Sequence, residues 1–263
     1  MDLYVKETGS KNAETIIFLH AGAMAGWMWD DQLKSFSDYH CIVPDLPEHG
    51  QSNEIKPFTI KKTAEIIMEI INKRAHNRKA NLVGISLGAQ IIVQILSKAP
   101  QLVNRAFISG TLISTFQNSK TLLNLLDHTI NEYAPVKDNN FFIKANMRTY
   151  NMPNDFFMEF KESTLLLKRD SLERILTENM LFKLPDGLEK VEAPILILTG
   201  EKDYKIIKKS ANDLLTSLPG SVGYMAPNVG HVWNLENSKL FNLVLRRWIT
   251  NGALKDALLP MES

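Results

Sequence analysis

Short runs of consecutive apolar residues recur along the first part of the chain, and between them lie longer segments whose apolar residues return at every third or fourth position. Clear runs stand at 15–19, 41–44, 80–83 and 106–109. Uninterrupted apolar runs of this length are typical of strands buried on both faces of a parallel sheet. The segment 60–71, which Thr59 is expected to cap, has the spacing of an amphipathic helix. Strands that alternate with helices predict an α/β protein with a mostly parallel central sheet flanked by helices.

The alternation of strands and helices stops after about residue 111 and resumes near residue 187. The intervening segment is rich in Phe, Leu and Met, and it predicts four helices, near 119–132, 138–149, 154–167 and 170–181. An insertion beyond the carboxyl ends of parallel strands is well placed to cover a ligand crevice, although it could also be extra packing alone. We therefore expect a core formed by 1–111 and 187–263, with a helical cap at 112–186.

The last part of the chain continues the core pattern. Strand-like runs at 194–199 and 221–225 are followed by an amphipathic helix over about 237–250. The closing segment, 251–263, has no clear pattern and is expected to fray.

Composition narrows the classes of function. The formal net charge of +1 gives no electrostatic basis for binding nucleic acid or an acidic membrane surface. No apolar stretch approaches the roughly 18 residues that a spanning helix needs, and the first residues lack the pattern of a signal peptide. Cys41 is the only cysteine, so an intrachain disulfide is impossible and a reducing compartment is expected. We therefore expect a cytoplasmic protein that binds neither nucleic acid nor membrane.

The chemistry is organised around the motif Gly84-Ile85-Ser86-Leu87-Gly88, which stands between the predicted strand at 80–83 and a helix that begins near Ala89. Chance would give about 0.04 matches to G-x-S-x-G in a chain of this composition. In a strand–turn–helix context the serine of this motif sits on a sharp turn with its hydroxyl exposed. The two flanking glycines allow the strand and the helix to pack closely.

A serine hydroxyl becomes a useful nucleophile when a neighbouring base takes its proton, and histidine suits this role because its ordinary pKa is near neutrality. A carboxylate must then orient the imidazole. Ser86, Asp203 and His231 each follow a predicted strand, in that chain order. They are therefore the candidate nucleophile, acid and base, with neighbouring Glu201 as the alternative acid.

Several pieces of the chain together resemble the α/β-hydrolase family. They are Leu19-His20-Ala21-Gly22, Asp45 to Ser52, Gly84 to Gly88, Gly200 to Asp203 and Gly230-His231. Five pieces in family order form a specific resemblance to a capped, esterase-like serine hydrolase. Two positions depart from the family pattern: Ala21 stands where glycine is usual, and Glu48 often corresponds to glycine. The first departure is expected to alter the oxyanion loop slightly, and the second to affect only loop conformation.

The resemblance implies further features of the site. The cap is expected between strands 6 and 7 of an α/β-hydrolase fold. The backbone N–H groups of Gly22 and Leu87 are expected to form the oxyanion hole, with Ala23 as an alternative to Gly22. His20 resembles a loop histidine that shapes its turn. No cofactor is implied, and the spacing of the six histidines suggests no metal site.

Aromatic and thioether side chains near these loops are candidates for a substrate pocket. We predict that Met24, Trp27, Phe141 and Phe157 line it, although apolar residues in such positions are more often core. The insertion carries no basic cluster, which argues against a strongly anionic substrate.

The sequence therefore predicts a hydrolase that cleaves a small, mostly apolar carboxylic ester through Ser86, His231 and Asp203, as a monomer or homodimer. Several rival reactions use the same triad. They are hydroxynitrile-lyase-like chemistry, C–C hydrolysis, acyl transfer and cofactor-free peroxidase activity. A receptor for a small ligand that keeps the triad without turnover is an alternative of another class.

Overall fold

The computed structural model describes residues 2–114, 119–133 and 135–261. The parts of the predicted cap at 115–118 and Ala134, and the chain ends at Met1 and 262–263, lie outside the described residues. The strands are β1 Val5–Thr8, β2 Thr15–Leu19, β3 His40–Pro44, β4 Ala80–Ile85, β5 Val103–Ser109, β6 Ile195–Gly200, β7 Ser221–Ala226 and β8 Leu259–Pro260.

These strands form one sheet in the order β1-β3-β2-β4-β5-β6-β7-β8. The six inner strands run parallel, whereas β1 pairs antiparallel with β3 and β8 pairs antiparallel with β7. The register places Ile85 at the end of β4 opposite Ser109 at the end of β5. The carboxyl ends of the inner strands therefore share one edge, and the expected mostly parallel sheet is confirmed.

The helices lie between these strands. They are α1 Asp30–Ser35, α2 Ile60–Arg74, α3 Leu87–Lys98, α4 Ser119–Tyr133, α5 Asn140–Thr149, α6 Phe157–Leu166, α7 Arg169–Leu181, α8 Lys205–Ser217, α9 Trp233–Glu236 and α10 Ser238–Ile249. Thr59 caps α2 as predicted, because its side-chain oxygen accepts a hydrogen bond from the Lys62 N–H. No helix among the described residues is long and apolar enough to cross a membrane.

Two clusters of buried apolar side chains fill the two faces of the sheet. One cluster contains residues of α2, α3 and α8, and the other contains residues of α1, α9 and α10. The strands β2, β4 and β6 are covered on both sides and buried along their whole length, which explains why most of their residues are apolar.

The four predicted helices of the insertion are α4 to α7, with a short 3₁₀ turn at Asn154–Phe156 before α6. They follow the fifth strand of the chain and precede the sixth, one strand earlier than the resemblance implies, because a single strand, β1, precedes β2. The closing segment also differs from expectation, since β8 joins the sheet beside β7. A strand of two residues has no pattern of its own and depends on its partner for hydrogen bonds.

The motif around Ser86 has the close packing that its glycines predict. A methyl group on Gly84 would stand 2.6 Å from the carbonyl carbon of Gly88, and one on Gly88 would stand 2.1 Å from the Leu19 carbonyl oxygen. Both distances are shorter than any tolerable carbon contact. Glycine at these two positions therefore lets α3 start directly against β4 and β2.

Candidate active site

The three predicted catalytic residues lie on the loops that follow parallel strands. Ser86 directly follows β4, Asp203 follows β6, and His231 follows β7. Because these strands are parallel members of one sheet, all three loops open at its carboxyl edge. This edge is where ligands bind in open α/β sheets.

Ser86 occupies a sharp corner of the backbone. Its φ of 55° and ψ of −113° lie in a region that side-chain-bearing residues rarely adopt. The corner is held by the Ser86 N–H, which donates to the Ser109 carbonyl oxygen at 2.8 Å. The strain is the geometry expected of a serine exposed between a strand and a helix.

Asp203 and His231 meet through a buried hydrogen bond. The imidazole Nδ1 of His231 lies 3.0 and 3.1 Å from the two carboxylate oxygens of Asp203. The Asp203 side chain is fully buried, and that of His231 is 11% exposed. The Tyr204 N–H also donates to Asp203 Oδ1 at 2.8 Å, so the carboxylate is fixed from two directions. The arrangement orients the imidazole with Nδ1 toward the acid.

Glu201, the alternative acid, has a different partner. Its carboxylate accepts a hydrogen bond from the Asn228 N–H at 2.7 Å, across the gap between the loops that follow β6 and β7. The Lys202 N–H donates to the Val229 carbonyl oxygen between the same loops. These bonds bring Asp203 to His231, so Glu201 contacts the loop and not the imidazole.

The loop after β5 supports both Ser86 and His231. Gly110 has a φ of +65°, and a methyl group added there would stand 2.9 Å from His231 Cε1. The indole N–H of Trp233 donates to the Ser109 hydroxyl at 2.9 Å inside the core. The imidazole therefore packs directly against the backbone that also binds the Ser86 N–H.

Ser86 and His231 are not hydrogen-bonded to each other. Among the described residues, the hydrogen bonds of the His231 side chain go to Asp203 alone. Catalytic hydrogen bonds are often long in unliganded enzymes and tighten when substrate binds. The structure thus brings the predicted base to the predicted acid, and it shows no hydrogen bond between the base and the nucleophile.

The residues predicted to supply the oxyanion donors, Gly22 and Leu87, lie against each other. A methyl group on Gly22 would contact the Leu87 side chain at 3.7 Å. Leu87 is the first residue of α3, so its N–H has no partner within the helix. Within the described part of the chain, the N–H groups of Gly22, Ala23 and Leu87 all lack a hydrogen-bond acceptor. Leu87 directly follows Ser86, and free N–H donors next to a nucleophile can stabilise negative charge.

His20 fixes the loop that carries Gly22. Its Nε2 accepts from the Leu46 N–H at 2.9 Å, and its Nδ1 lies 2.9 Å from the Ala21 carbonyl oxygen. Burial lowers the pKa of His20 to about 4, so the ring is neutral at ordinary pH. His20 shapes the turn, as its resemblance to a loop histidine implies.

The predicted pocket residues lie in different parts of the structure. Met24 is 3% exposed, within the apolar cluster that contains α1 and α10. Trp27 lines a cavity of about 200 Å³ whose walls include Asp45, Glu162 and Ser163 and neither Ser86 nor His231.

The two predicted phenylalanines lie on the insertion. Phe141 is 71% exposed and contacts the ring of Phe142. Phe157 lies beneath the ammonium groups of Lys144 and Lys161. None of these contacts brings Phe141 or Phe157 to Ser86, and their role in a substrate pocket stays a prediction.

Two residues that sequence reasoning missed contact the site from the insertion. Ile175 of α7 is buried, and its Cγ2 would stand 3.6 Å from a methyl group on Gly22. Tyr150 follows α5, and its ring centroid lies 6.3 Å from that of His231. An apolar residue and a tyrosine in helical segments carry no motif, so only the packing of the insertion reveals them.

Glu48 does more than shape its loop. The residue has a φ of 64°, as expected where glycine is common, but its side chain is fully buried. It accepts hydrogen bonds from Arg174 Nε at 3.0 Å and from the Phe58 N–H at 3.2 Å. The Arg174 guanidinium holds the pKa of Glu48 below its ordinary value even though burial raises it. The expectation of a purely conformational effect was therefore wrong, because Glu48 ties the core to α7.

The described residues contain no group of three or more His, Cys, Asp or Glu side chains that could hold a metal ion. The chemistry that this arrangement can perform is that of a serine hydroxyl, an imidazole–carboxylate pair and backbone N–H donors.

Comparison with known proteins finds similarity over most of the chain and not only at these motifs. A family model described as the alpha/beta hydrolase fold matches residues 14–238. An AB hydrolase superfamily protein of Gibberella zeae is 26% identical over 255 residues, covering 92% of this chain and 82% of that protein. A putative 2-succinyl-6-hydroxy-2,4-cyclohexadiene-1-carboxylate synthase of Haemophilus influenzae is 27% identical over 250 residues, covering 86% and 94% respectively. The crystal structure of a hydrolase from Pseudomonas aeruginosa PA01 matches 93% of each chain with a TM-score of 0.78 at 18% identity.

Proposed function

This chain belongs to the α/β-hydrolase fold family, and we propose that it is a serine hydrolase that cleaves a small, mostly apolar carboxylic ester. The observation that carries the proposal is the buried hydrogen bond between Asp203 and His231, beside the strained corner at Ser86. These are the three groups that nucleophilic acyl transfer requires: a nucleophile, a base and a carboxylate that orients the base.

In the proposed reaction the Ser86 hydroxyl attacks the ester carbonyl carbon while His231 Nε2 takes the hydroxyl proton. The carbonyl oxygen becomes an oxyanion, which the N–H groups of Gly22 and Leu87 stabilise. The C–O bond then breaks, and the leaving alkoxide takes the proton from His231. Water attacks the acyl-enzyme with His231 again as base, which releases the acid and restores Ser86.

The choice of substrate rests on the surroundings of Ser86. The side chains that reach this region from the core and the insertion include Leu87, Ile175 and the ring of Tyr150. Arg174, the charged neighbour of Ile175 on α7, is paired with Glu48 and Asp170. Apolar walls with no unpaired cation among these neighbours favour an uncharged acyl group.

We also propose that residues 112–186 act as a cap over the site, with 1–111 and 187–263 as the core. The contacts of Ile175 with the Gly22 loop and of Tyr150 with His231 support this division, because both residues belong to the insertion. A cap of this kind excludes water and shapes the pocket.

The proposal is tested by labelling the folded protein with a fluorophosphonate probe and measuring hydrolysis of p-nitrophenyl esters of graded acyl length. We expect the probe to modify Ser86 and turnover to be lost in Ser86→Ala. Ser97→Ala, a change in a serine of α3 whose hydroxyl bonds to the Asp186 carbonyl oxygen, is the matched control and should keep turnover.

The two readouts separate the alternatives. Failure of the probe to label a folded sample would contradict the assembled triad. Labelling at Ser86 without turnover of any ester would contradict the ester substrate and direct attention to another reaction of the same residues, such as the one named for the Haemophilus influenzae relative.

A further inference from the structure

Tyr150 is the residue of the insertion whose ring contacts the predicted catalytic base. Its ring centroid lies 6.3 Å from that of His231, and the two planes are inclined by 35°. The residue directly follows α5, and the next residue, Asn151, has a φ of 50° that turns the chain sharply. The side-chain nitrogen Nδ2 of Asn151 would stand 3.2 Å from a methyl group on Gly230, so this turn packs on the loop of His231.

The hydroxyl group of Tyr150 has no hydrogen-bond partner among the described residues, although the side chain is partly buried. Two neighbouring phenols differ from it. The Thr164 side chain offsets part of the rise that burial gives the pKa of Tyr133, and Tyr204 is 53% exposed to water. The Tyr150 side chain is partly buried, but its hydroxyl oxygen is not cut off from solvent, so it is available to a ligand or to water.

The protonation state of Tyr150 suits a hydrogen-bond donor. Burial raises the pKa of its phenol, and the negative charge on Asp203 and the nearby phenols of Tyr204 and Tyr133 raise it further. The phenol therefore stays neutral at ordinary pH. A neutral donor beside the imidazole accepts no proton and competes with no step of the proposed reaction.

The position of Tyr150 identifies the part of the substrate that it meets. His231 returns its proton to the leaving oxygen of the alcohol, so a side chain beside the imidazole lies next to the alcohol portion. We propose that Tyr150 is a specificity-determining residue whose hydroxyl donates a hydrogen bond to an oxygen atom in the alcohol portion of the ester. The substrate class is then an ester whose alcohol carries an ether, hydroxyl or carbonyl oxygen near the scissile bond. This inference rests on the proposed ester hydrolysis.

The test compares two esters that differ in one atom, with the acyl group that the p-nitrophenyl series shows to be best. One is the 2-methoxyethyl ester and the other is the n-butyl ester, in which CH₂ replaces the ether oxygen. Kinetic constants for both are measured by proton release, for the wild type and for Tyr150→Phe. The variant keeps the ring against His231 and removes only the hydroxyl group. Tyr204→Phe is the matched control, because it removes an exposed phenol of the same region.

We expect the wild type to prefer the 2-methoxyethyl ester. Tyr150→Phe should raise KM for that ester about threefold to tenfold with little change in kcat, since one neutral hydrogen bond to a non-reacting atom is lost. The constants for the n-butyl ester, and those of Tyr204→Phe for both esters, should stay at the wild-type values. A role in packing alone would not distinguish esters that differ in one oxygen.

The possible failures are distinguishable. An equal loss on both esters, an unchanged ratio in Tyr150→Phe, or the same change of ratio in Tyr204→Phe would overturn the assignment of Tyr150 and leave the hydrolase standing. A wild type that is neither labelled at Ser86 nor active on either ester would overturn the proposed function, and this inference with it.

Discussion

The helical insertion meets the core in two different ways. On one side, α7 is bound by buried and partly buried polar groups. Arg174 bonds to the buried carboxylate of Glu48, and Glu178 accepts from the Ile60 N–H at 2.8 Å at the start of α2. Asn179 exchanges hydrogen bonds with Gln90 of α3, whose Nε2 donates to the Asn179 carbonyl oxygen at 2.8 Å. This side is attached to the same helix that begins after Ser86.

On the other side, α5 and α6 contact the core mainly through apolar and aromatic side chains, with Ile143, Met147 and Phe160 buried in the apolar cluster. Trp27 lies 5.9 Å from the ring of Phe156 and donates one hydrogen bond to the Ser163 hydroxyl at 2.8 Å. Tyr150 lies against His231. Directional polar bonds fix α7 in one arrangement, whereas apolar contacts are non-directional and tolerate sliding. We therefore expect α5 and α6 to open locally at a lower free energy than α7, so that Ile175 is a fixed wall of the site and Tyr150 a movable one.

The first prediction asks whether the core alone holds His231, apart from either side of the insertion. Gly110→Ala should lower kcat/KM at least about a hundredfold, because the added methyl would displace the imidazole against which it stands. Gly220→Ala is the matched control, since an added methyl there meets no atom within 4 Å. A folded Gly110→Ala variant with nearly normal activity would show that His231 is positioned by the insertion instead.

The second prediction concerns the pH dependence of the free energy of unfolding, to which the buried imidazoles of His20 and His49 contribute. Burial lowers the pKa of His49 to about 3 and that of His20 to about 4, from an ordinary 6.5. Below pH 6.5 the unfolded chain therefore binds protons on these imidazoles that the folded chain does not bind. The free energy of unfolding should be at its plateau above that pH and fall as pH drops toward 4, by about 3 kcal/mol for His20 alone.

Urea unfolding at a series of pH values measures how the free energy of unfolding depends on pH. His49→Gln should flatten this dependence, whereas His128→Gln, a change on the exposed face of α4, should leave it unchanged. A free energy of unfolding that stays constant from pH 7 to 4.5 would contradict the buried neutral pair.

The third prediction removes a polar bond that attaches α7 to the core. Arg174→Met leaves the buried Glu48 carboxylate without its cation and should lower the free energy of unfolding by about 2–3 kcal/mol. Amide hydrogens of α7 should then exchange about as fast as those of α5. Arg247→Met removes a surface pair with Asp256 and should cost less than about 1 kcal/mol. Adding Glu48→Gln to Arg174→Met should recover part of the loss, and no recovery would mean that the charge is not its cause.

The fourth prediction, the smallest, concerns the aromatic side. Trp27→Phe removes the bond to Ser163 and should lower stability by about 1 kcal/mol, with faster hydrogen exchange in α6 and none of this change in α7. Trp248→Phe is the control, because the Trp248 indole nitrogen is buried without a partner in the described residues. Equal effects of the two variants on α6 would show that the Trp27 bond does not hold this side.

Much of the fold could be read from local pattern. The uninterrupted apolar runs became β2, β3, β4 and the later strands, and α4 ends one residue beyond its predicted limit of 132. These features depend on neighbours in sequence and on burial on both faces, which periodicity reports directly. The two-residue β8 could not be predicted, because its hydrogen bonds depend on β7 alone.

The residues of the site also divide into those that the sequence pattern predicts and those that it does not. Ser86, Asp203 and His231 could be proposed because each is a chemically distinctive residue in the loop or turn that follows a predicted strand. Tyr150, Ile175 and the Glu48–Arg174 pair could not, because they lie on opposite parts of the chain and their residue types are common in helices and loops. Their roles arise from contacts that no spacing encodes.

The sequence by itself determined the parallel sheet, the sharp turn at Ser86 and the chain order of the candidate triad, since glycine sterics and hydrophobic periodicity act over a few residues. Only the tertiary structure decided that Asp203 and not Glu201 meets His231, because the bonds between the loops after β6 and β7 set that distance. It also decided which residues of the insertion face the site. Such choices depend on the packing of segments far apart in the chain, where the free energy of the whole arrangement selects the contacts.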